Sequence, residues 1–161
     1  MKKYLLLSAA ALAVLSGCSR SGMIDASASP SASTSASAAK GSAGSTTAGK
    51  GAPARISHGK EVNIQDYVVP GKTTIFDFTS EGCPPCRQIA PYLHKLHAER
   101  SDIVVVEVDL NRPGVGNIDW ASPVVRQYGL NSIPHFKIYG PDGRLVAEGQ
   151  DAYAQVRSML K

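Results

Sequence analysis

Residues 19 to 55 decide how much of this chain can fold. Of these 37 residues 25 are Ser, Ala or Gly, and the only apolar side chains larger than alanine are Met23, Ile24 and the prolines. Such a stretch cannot bury enough surface to offset the entropy of ordering it. It is expected to be a flexible tether, with a root-mean-square span of roughly 30–37 Å for its length. The core is thereby confined to residues 56–161, enough for one small domain.

Ahead of the tether, Met1, Lys2 and Lys3 form a short positive start. Tyr4 to Leu15 is then an apolar run of 12 residues, too short for a mature membrane span and right for the core of a signal peptide. It ends in Leu15-Ser16-Gly17-Cys18, which resembles the bacterial lipobox. There a cysteine thiol receives a diacylglyceryl group before cleavage. The alternative is an ordinary secretory signal with a chance cysteine; the position and the flanking Leu and Gly favour the lipobox. The expected organisation is a signal peptide at 1–17, a lipidated Cys18 and tether at 18–55, and a folded domain at 56–161. Lipidation at Cys18 would hold the chain to a membrane. Ser19 after the cysteine leans towards the outer rather than the inner membrane, by analogy.

The net charge of +4 is misleading. Six basic residues and one acidic residue lie before position 56, which leaves 11 basic and 12 acidic residues in the domain. No basic stripe there points to nucleic acid.

The domain alternates two periodicities. Thr73 to Thr79 is a β-rich apolar run, and Pro84 to Glu99 places Ile89, Tyr92, Leu93 and Leu96 at helical spacing. Ile103 to Asp109 is a second strand, continuously apolar at its start as if covered on both faces. Ser122 and Pro123 open a short helix to about Tyr128. His135–Tyr139 and Leu145–Glu148 flank a hairpin signal at Gly140-Pro141-Asp142-Gly143. Asp151 is expected to cap a last helix through Leu160. Ile56 to Tyr67 is expected to give a short edge strand near Val62 and a turn of helix. The order β-β-α-β-α-β-β-α predicts an α/β fold, a mixed sheet of four to five strands with helices on both faces.

Cys83 and Cys86 are the only cysteines in the domain. Their spacing leaves open a redox pair, part of a metal site or a structural clip. A CxxC loop closes little chain entropy and makes a poor staple. The surrounding residues go further. Asp77, Phe78, Glu81, Cys83, Pro85, Cys86, Ile89, Ala90 and Pro91, followed by Tyr128, Gly129, Ile133, Pro134, Phe136 and Gly143, resemble the thioredoxin family over essentially all of residues 60–161. The resemblance implies the thioredoxin fold, with Cys83 as nucleophile at a helix N-terminus and Cys86 as the more buried resolving thiol. The helix N-terminus favours the thiolate that attacks disulfides. The resemblance further implies Asp77 as a buried proton relay for Cys86 and Pro134 as a cis-proline. The backbone of Ile133 would pair with the substrate. Pro91 would kink the helix. No cofactor is implied beyond the redox-active Cys83–Cys86 disulfide.

Several positions depart from the family. Gly82 stands where the family usually carries Trp, shrinking the apolar surface offered to clients. Pro84 has no N–H, removing a donor to the Cys83 sulfur. Gly82 and Pro84 are expected to bind substrate together with Ile133 and Pro134. Glu107 stands near the place of a family lysine. The loop 111–121 is long, and its Trp120 is a packing anchor or part of a partner surface, with packing favoured. His135, after the cis-proline, is expected either close to Cys83 or turned away from it. His94 and His97 share a helix face that is expected to be solvated.

The function these features imply is a membrane-anchored thiol–disulfide oxidoreductase of the bacterial envelope, facing the periplasm. It would be monomeric and run as a reductase, since no helical domain is inserted and no dimerisation domain is present. Its partners would be disulfide-containing envelope proteins and a membrane electron donor. The competing reading is a metallochaperone holding Cu(I) or Zn through Cys83, Cys86 and His135.

Overall fold

The apolar runs at 73–79 and 103–109 become the two strands at the heart of a five-stranded sheet. In this computed structural model, residues 51–161 are described; the expected signal peptide, Cys18 and the tether to residue 50 lie outside them. The strands are β1 (Ala54–Ile56), β2 (Thr73–Thr79), β3 (Ile103–Asp109), β4 (His135–Tyr139) and β5 (Leu145–Glu148). The helices are α1 (Pro84–Glu99), α2 (Pro123–Tyr128) and α3 (Gly149–Met159), with a 3-10 turn at Ile64–Tyr67. The sheet order is β1-β3-β2-β4-β5. β3 runs parallel to both β1 and β2, whereas β4 is antiparallel to β2 and β5.

Both faces of the sheet are covered, which is why β2 and β3 show no polar alternation. On one face Ile75, Val105, Phe136 and Ile138 pack against Leu93 and Leu96 of α1 and Ala152 and Val156 of α3. On the other, Phe76, Phe78, Val106 and Val108 pack against Ile64, Val124 and Val125. Each of the larger side chains contributes about 1.5–3 kcal/mol by leaving water.

Three expectations about element ends are corrected. No strand forms near Val62: its N–H donates to Gln127 Oε1 at 2.9 Å, and its carbonyl accepts from Tyr128 OH at 2.6 Å and Gln127 Nε2 at 3.1 Å. Side chains of α2 have taken the place of a strand neighbour. The edge strand is Ala54–Ile56 instead, so the last two residues assigned to the tether belong to the sheet. The last helix begins at Gly149 with Glu148 as N-cap, and Asp151 lies inside its first turn. Gly149 has φ +64, a left-handed conformation that lets β5 turn directly into α3.

Candidate active site

Cys83 is the N-cap residue of α1, and its sulfur accepts from Cys86 N at 3.2 Å. Pro84 and Pro85 fill the next two positions without an N–H, so Cys86 supplies the first backbone donor of the helix. The two cysteines are joined, with Cα atoms 5.3 Å apart. The Ile133–Pro134 bond is cis, and Cys83 Sγ lies 4.0 Å from the carbonyl oxygen of Ile133. The strand–helix junction and the cis-proline therefore meet at the disulfide, as the resemblance implies.

Exposure departs from expectation. Cys83 and Cys86 are each only 1% exposed, so the nucleophile is as covered as its partner. The loop 111–121 lies against the neighbouring Gly82. A Cβ placed on Gly82 would lie 2.9 Å from both the Cα and the carbonyl carbon of Asn117 and 3.0 Å from Gly116 O. Loop backbone thus occupies the space where the family's Trp side chain would begin. Asn111 Nδ2 donates to the carbonyls of Val115 and Asn117 at 2.8 Å each, and Arg112 donates to Asp119 Oδ2 at 2.6 Å and Oδ1 at 3.0 Å. With buried Asp119 as the loop's anchor, Trp120 is left 43% exposed; it is not the packing anchor. Gly82→Ala is expected to push this loop outward and speed alkylation of reduced Cys83 by iodoacetamide. An unchanged rate would mean that the loop does not limit access.

Asp77 sits on central β2, fully buried, with neither carboxylate oxygen hydrogen-bonded within the protein. Burial alone penalises its charge, and Glu107, its register partner on β3, penalises it further. Arg55 opposes them, and the net result is a carboxyl pushed up to about 8. Glu107, the residue in place of a lysine, is itself buried. Its Oε1 lies 2.6 Å from His94 Nε2, and its Oε2 lies 3.8 Å from Arg55 Nη1. The histidine face is solvated only in part, since His94 is 45% exposed and both rings also have partners in the protein. His94 turns to Glu107, and His97 Nδ1 accepts from Val105 N at 3.0 Å. Three-residue β1 pairs with β3 only from Val106 onward, which leaves that N–H to a side chain.

His135 meets Glu148 and Phe78. Its Nε2 is 3.4 Å from Glu148 Oε1, an ion-pair distance without hydrogen-bond geometry, and its ring meets Phe78 edge-on at 5.8 Å. Burial lowers its pKa more than Glu148 raises it, so the ring stays neutral near pH 7. Among the described residues no three His, Cys, Asp or Glu side chains gather into a metal-binding group. The ligand set of the metallochaperone reading is not assembled. The helix α1 continues through Pro91.

A sequence model of the family described as Thioredoxin matches residues 57–160. This chain belongs to the thioredoxin family. The thioredoxin of Chlamydia caviae is 33% identical over 52% of the chain and 72% of its own length. The thioredoxin of Streptomyces clavuligerus is 34% identical over 46% of the chain and 62% of its own length. Human thioredoxin domain-containing protein 2 is 35% identical over 39% of the chain, a match that spans 10% of that protein. The thioredoxin domain of this chain thus carries the cysteine pair of a thiol–disulfide oxidoreductase, closed as a disulfide.

Proposed function

We propose that this protein is a lipid-anchored thiol–disulfide reductase of the bacterial envelope, acting on disulfide-containing proteins there as a monomer. The observation that carries the redox reading is the Cys83–Cys86 disulfide at the start of α1, with Cys83 Sγ 4.0 Å from the Ile133 carbonyl. A client strand docking on the backbone before Pro134 would bring its own disulfide to Cys83. Periplasmic orientation and anchoring are supported by the signal-like residues 1–17 and the lipobox-like Cys18, with the outer membrane favoured. The reductase direction is supported by the direct passage from β2 through α1 to β3, with no inserted helical domain.

In the reduced enzyme the Cys83 thiolate attacks one client sulfur, and the other client sulfur leaves as a thiolate. Cys86 then gives its proton to the ionised fraction of Asp77, which grows as pH rises towards 8, and attacks Cys83 Sγ. The bond between Cys83 and the client breaks, and the second client sulfur leaves with the electron pair. Two electrons have passed to the client, whose thiolates take up two protons. A membrane dithiol donor restores the enzyme.

Insulin reduction by dithiothreitol tests this reading. The chain is expected to accelerate it, and Cys83→Ser is expected to return the rate to that of dithiothreitol alone. A wild-type rate equal to dithiothreitol alone would refute it.

A further inference from the structure

Asp77 has a chemical difficulty that the cysteines do not explain. It is fully buried, neither oxygen is hydrogen-bonded, and its strand is central in the sheet. A proton taken from Cys86 must still leave. Glu107, its register partner, joins two features that reach towards solvent. The first is a row of charged side chains across three adjacent strands: Asp77 on β2 is in register with Glu107 on β3, which is in register with Arg55 on β1. The second is a small cleft of about 70 Å³, bounded by Cys86, Ala90, Arg55 and Glu107. Its walls carry Arg55, Arg87 and Glu107, groups able to hydrogen-bond water. His94, whose side chain is 45% exposed, contacts Glu107 at 2.6 Å.

We propose that Glu107 and His94 form the proton exit of the active site, linking Asp77 and Cys86 to solvent through this cleft. The inference rests on the oxidoreductase reading and adds to it the route by which the resolving step sheds its proton. Neither residue touches the client. Both act through Asp77, as positioning residues.

The step balances. Cys86 S–H passes its proton to Asp77 as the Cys86 sulfur bonds to Cys83 Sγ and the client thiolate departs with the electron pair. The proton on Asp77 moves by way of water in the cleft to the Glu107 carboxylate, from there to the His94 imidazole, and from the ring to bulk water. The client thiolate is protonated from the same bulk. During reduction of the enzyme the route runs inward and protonates Cys86 as it leaves.

The surroundings fit this use. Charged groups meet the pair from every side that carries them. Arg55 faces Glu107 from β1 while also pairing with Asp109 at 3.2 Å and Glu81 at 3.6 Å. Arg87 lines the cleft from α1. The residue opposite Asp77 on β4 is Phe136, which contributes no charge. Arg55 keeps two neighbouring carboxylates compatible, and Glu107 in turn makes Asp77 hold its proton more firmly.

The test is the pH dependence of resolution in the full chain. Reduced enzyme is mixed with oxidised insulin in a single turnover, and decay of the mixed disulfide is followed between pH 5.5 and pH 9, an experimental window chosen to straddle the Asp77 carboxyl at about 8. His94→Gln is expected to slow resolution about tenfold on the acid side, without altering the initial attack. Added imidazole, a diffusible proton carrier, is expected to restore the rate. Glu107→Gln is expected to move the midpoint of the profile down by about one pH unit, because a like charge beside Asp77 has gone. A merely structural role for His94 would give no imidazole rescue. His94→Gln with a wild-type profile, or slowed without rescue, overturns the proposal. Should Glu107→Gln lose its near-ultraviolet signal of folding, the surface variant His94→Gln decides alone. An inactive wild-type chain would instead overturn the oxidoreductase reading.

Discussion

Asp77→Asn is expected to stabilise the protein at alkaline pH and to slow its resolving step at the same time. An ordinary aspartate titrates near 3.8, and this one near 8. Between those values the folded chain keeps a proton that the unfolded chain has lost. Stability from this group is therefore complete below pH 3.8 and falls as pH rises towards 8, by about 1.4 kcal/mol per pH unit. At pH 7 the burial of Asp77 costs on the order of 4 kcal/mol relative to acid conditions. Asparagine has no such proton to lose. Chemical unfolding should find the variant close to wild type near pH 4 and clearly more stable at pH 8. A wild-type pH slope retained in the variant would remove Asp77 as its source. The same variant cannot accept the proton of Cys86, so decay of the mixed disulfide should slow about 100-fold or more while initial attack keeps its rate. Equal slowing of both steps would refute the relay role. A carboxyl retained at such a cost is accounted for by chemistry rather than by packing.

Cys86→Ser is expected to convert the enzyme into a trap. Cys83 would still attack, but no thiol would stand one helical turn away to release the client. Clients should then accumulate as mixed disulfides that migrate as adducts on non-reducing gels and vanish on reduction. Expressed as the full chain, the adducts are expected in the outer-membrane fraction after cell fractionation. Adducts confined to the soluble fraction would remove the lipid anchor from the proposed function. The absence of any adduct, with Cys83 free to be alkylated, would remove protein disulfides as its targets. Cys83→Ser is the matched control, because it removes the sulfur assigned to start the exchange.

The sheet was legible because strands buried on both faces leave continuous apolar runs, and β2 and β3 are such runs. The roles of the cysteine pair, the buried acid and the cis-proline were legible through the resemblance to the thioredoxin family that the surrounding residues carry. Other features depend on register between strands, which spacing does not carry. Glu107 could be seen as a polar residue in a buried run, but only the pairing of β2 with β3 sets it beside Asp77. His94 and His97 at i, i+3 read as a solvated stripe because nothing in α1 says which edge of the sheet lies beneath it. β1 was missed because three residues, Ala54, Arg55 and Ile56, are too few to show a period. The loop backbone against Gly82 was missed because the sequence records it only as a side chain that is not there.

The family's sequence match begins at residue 57, one position after β1 ends. The strand that delivers Arg55 therefore falls outside the region by which relatives are recognised. Within the matched region alone, Asp77 and Glu107 form an acid pair with its neutralising cation missing. An aligned comparison trimmed to the shared domain would misjudge the acidity of this centre. What lies upstream of the matched region thus helps set how the enzyme handles protons.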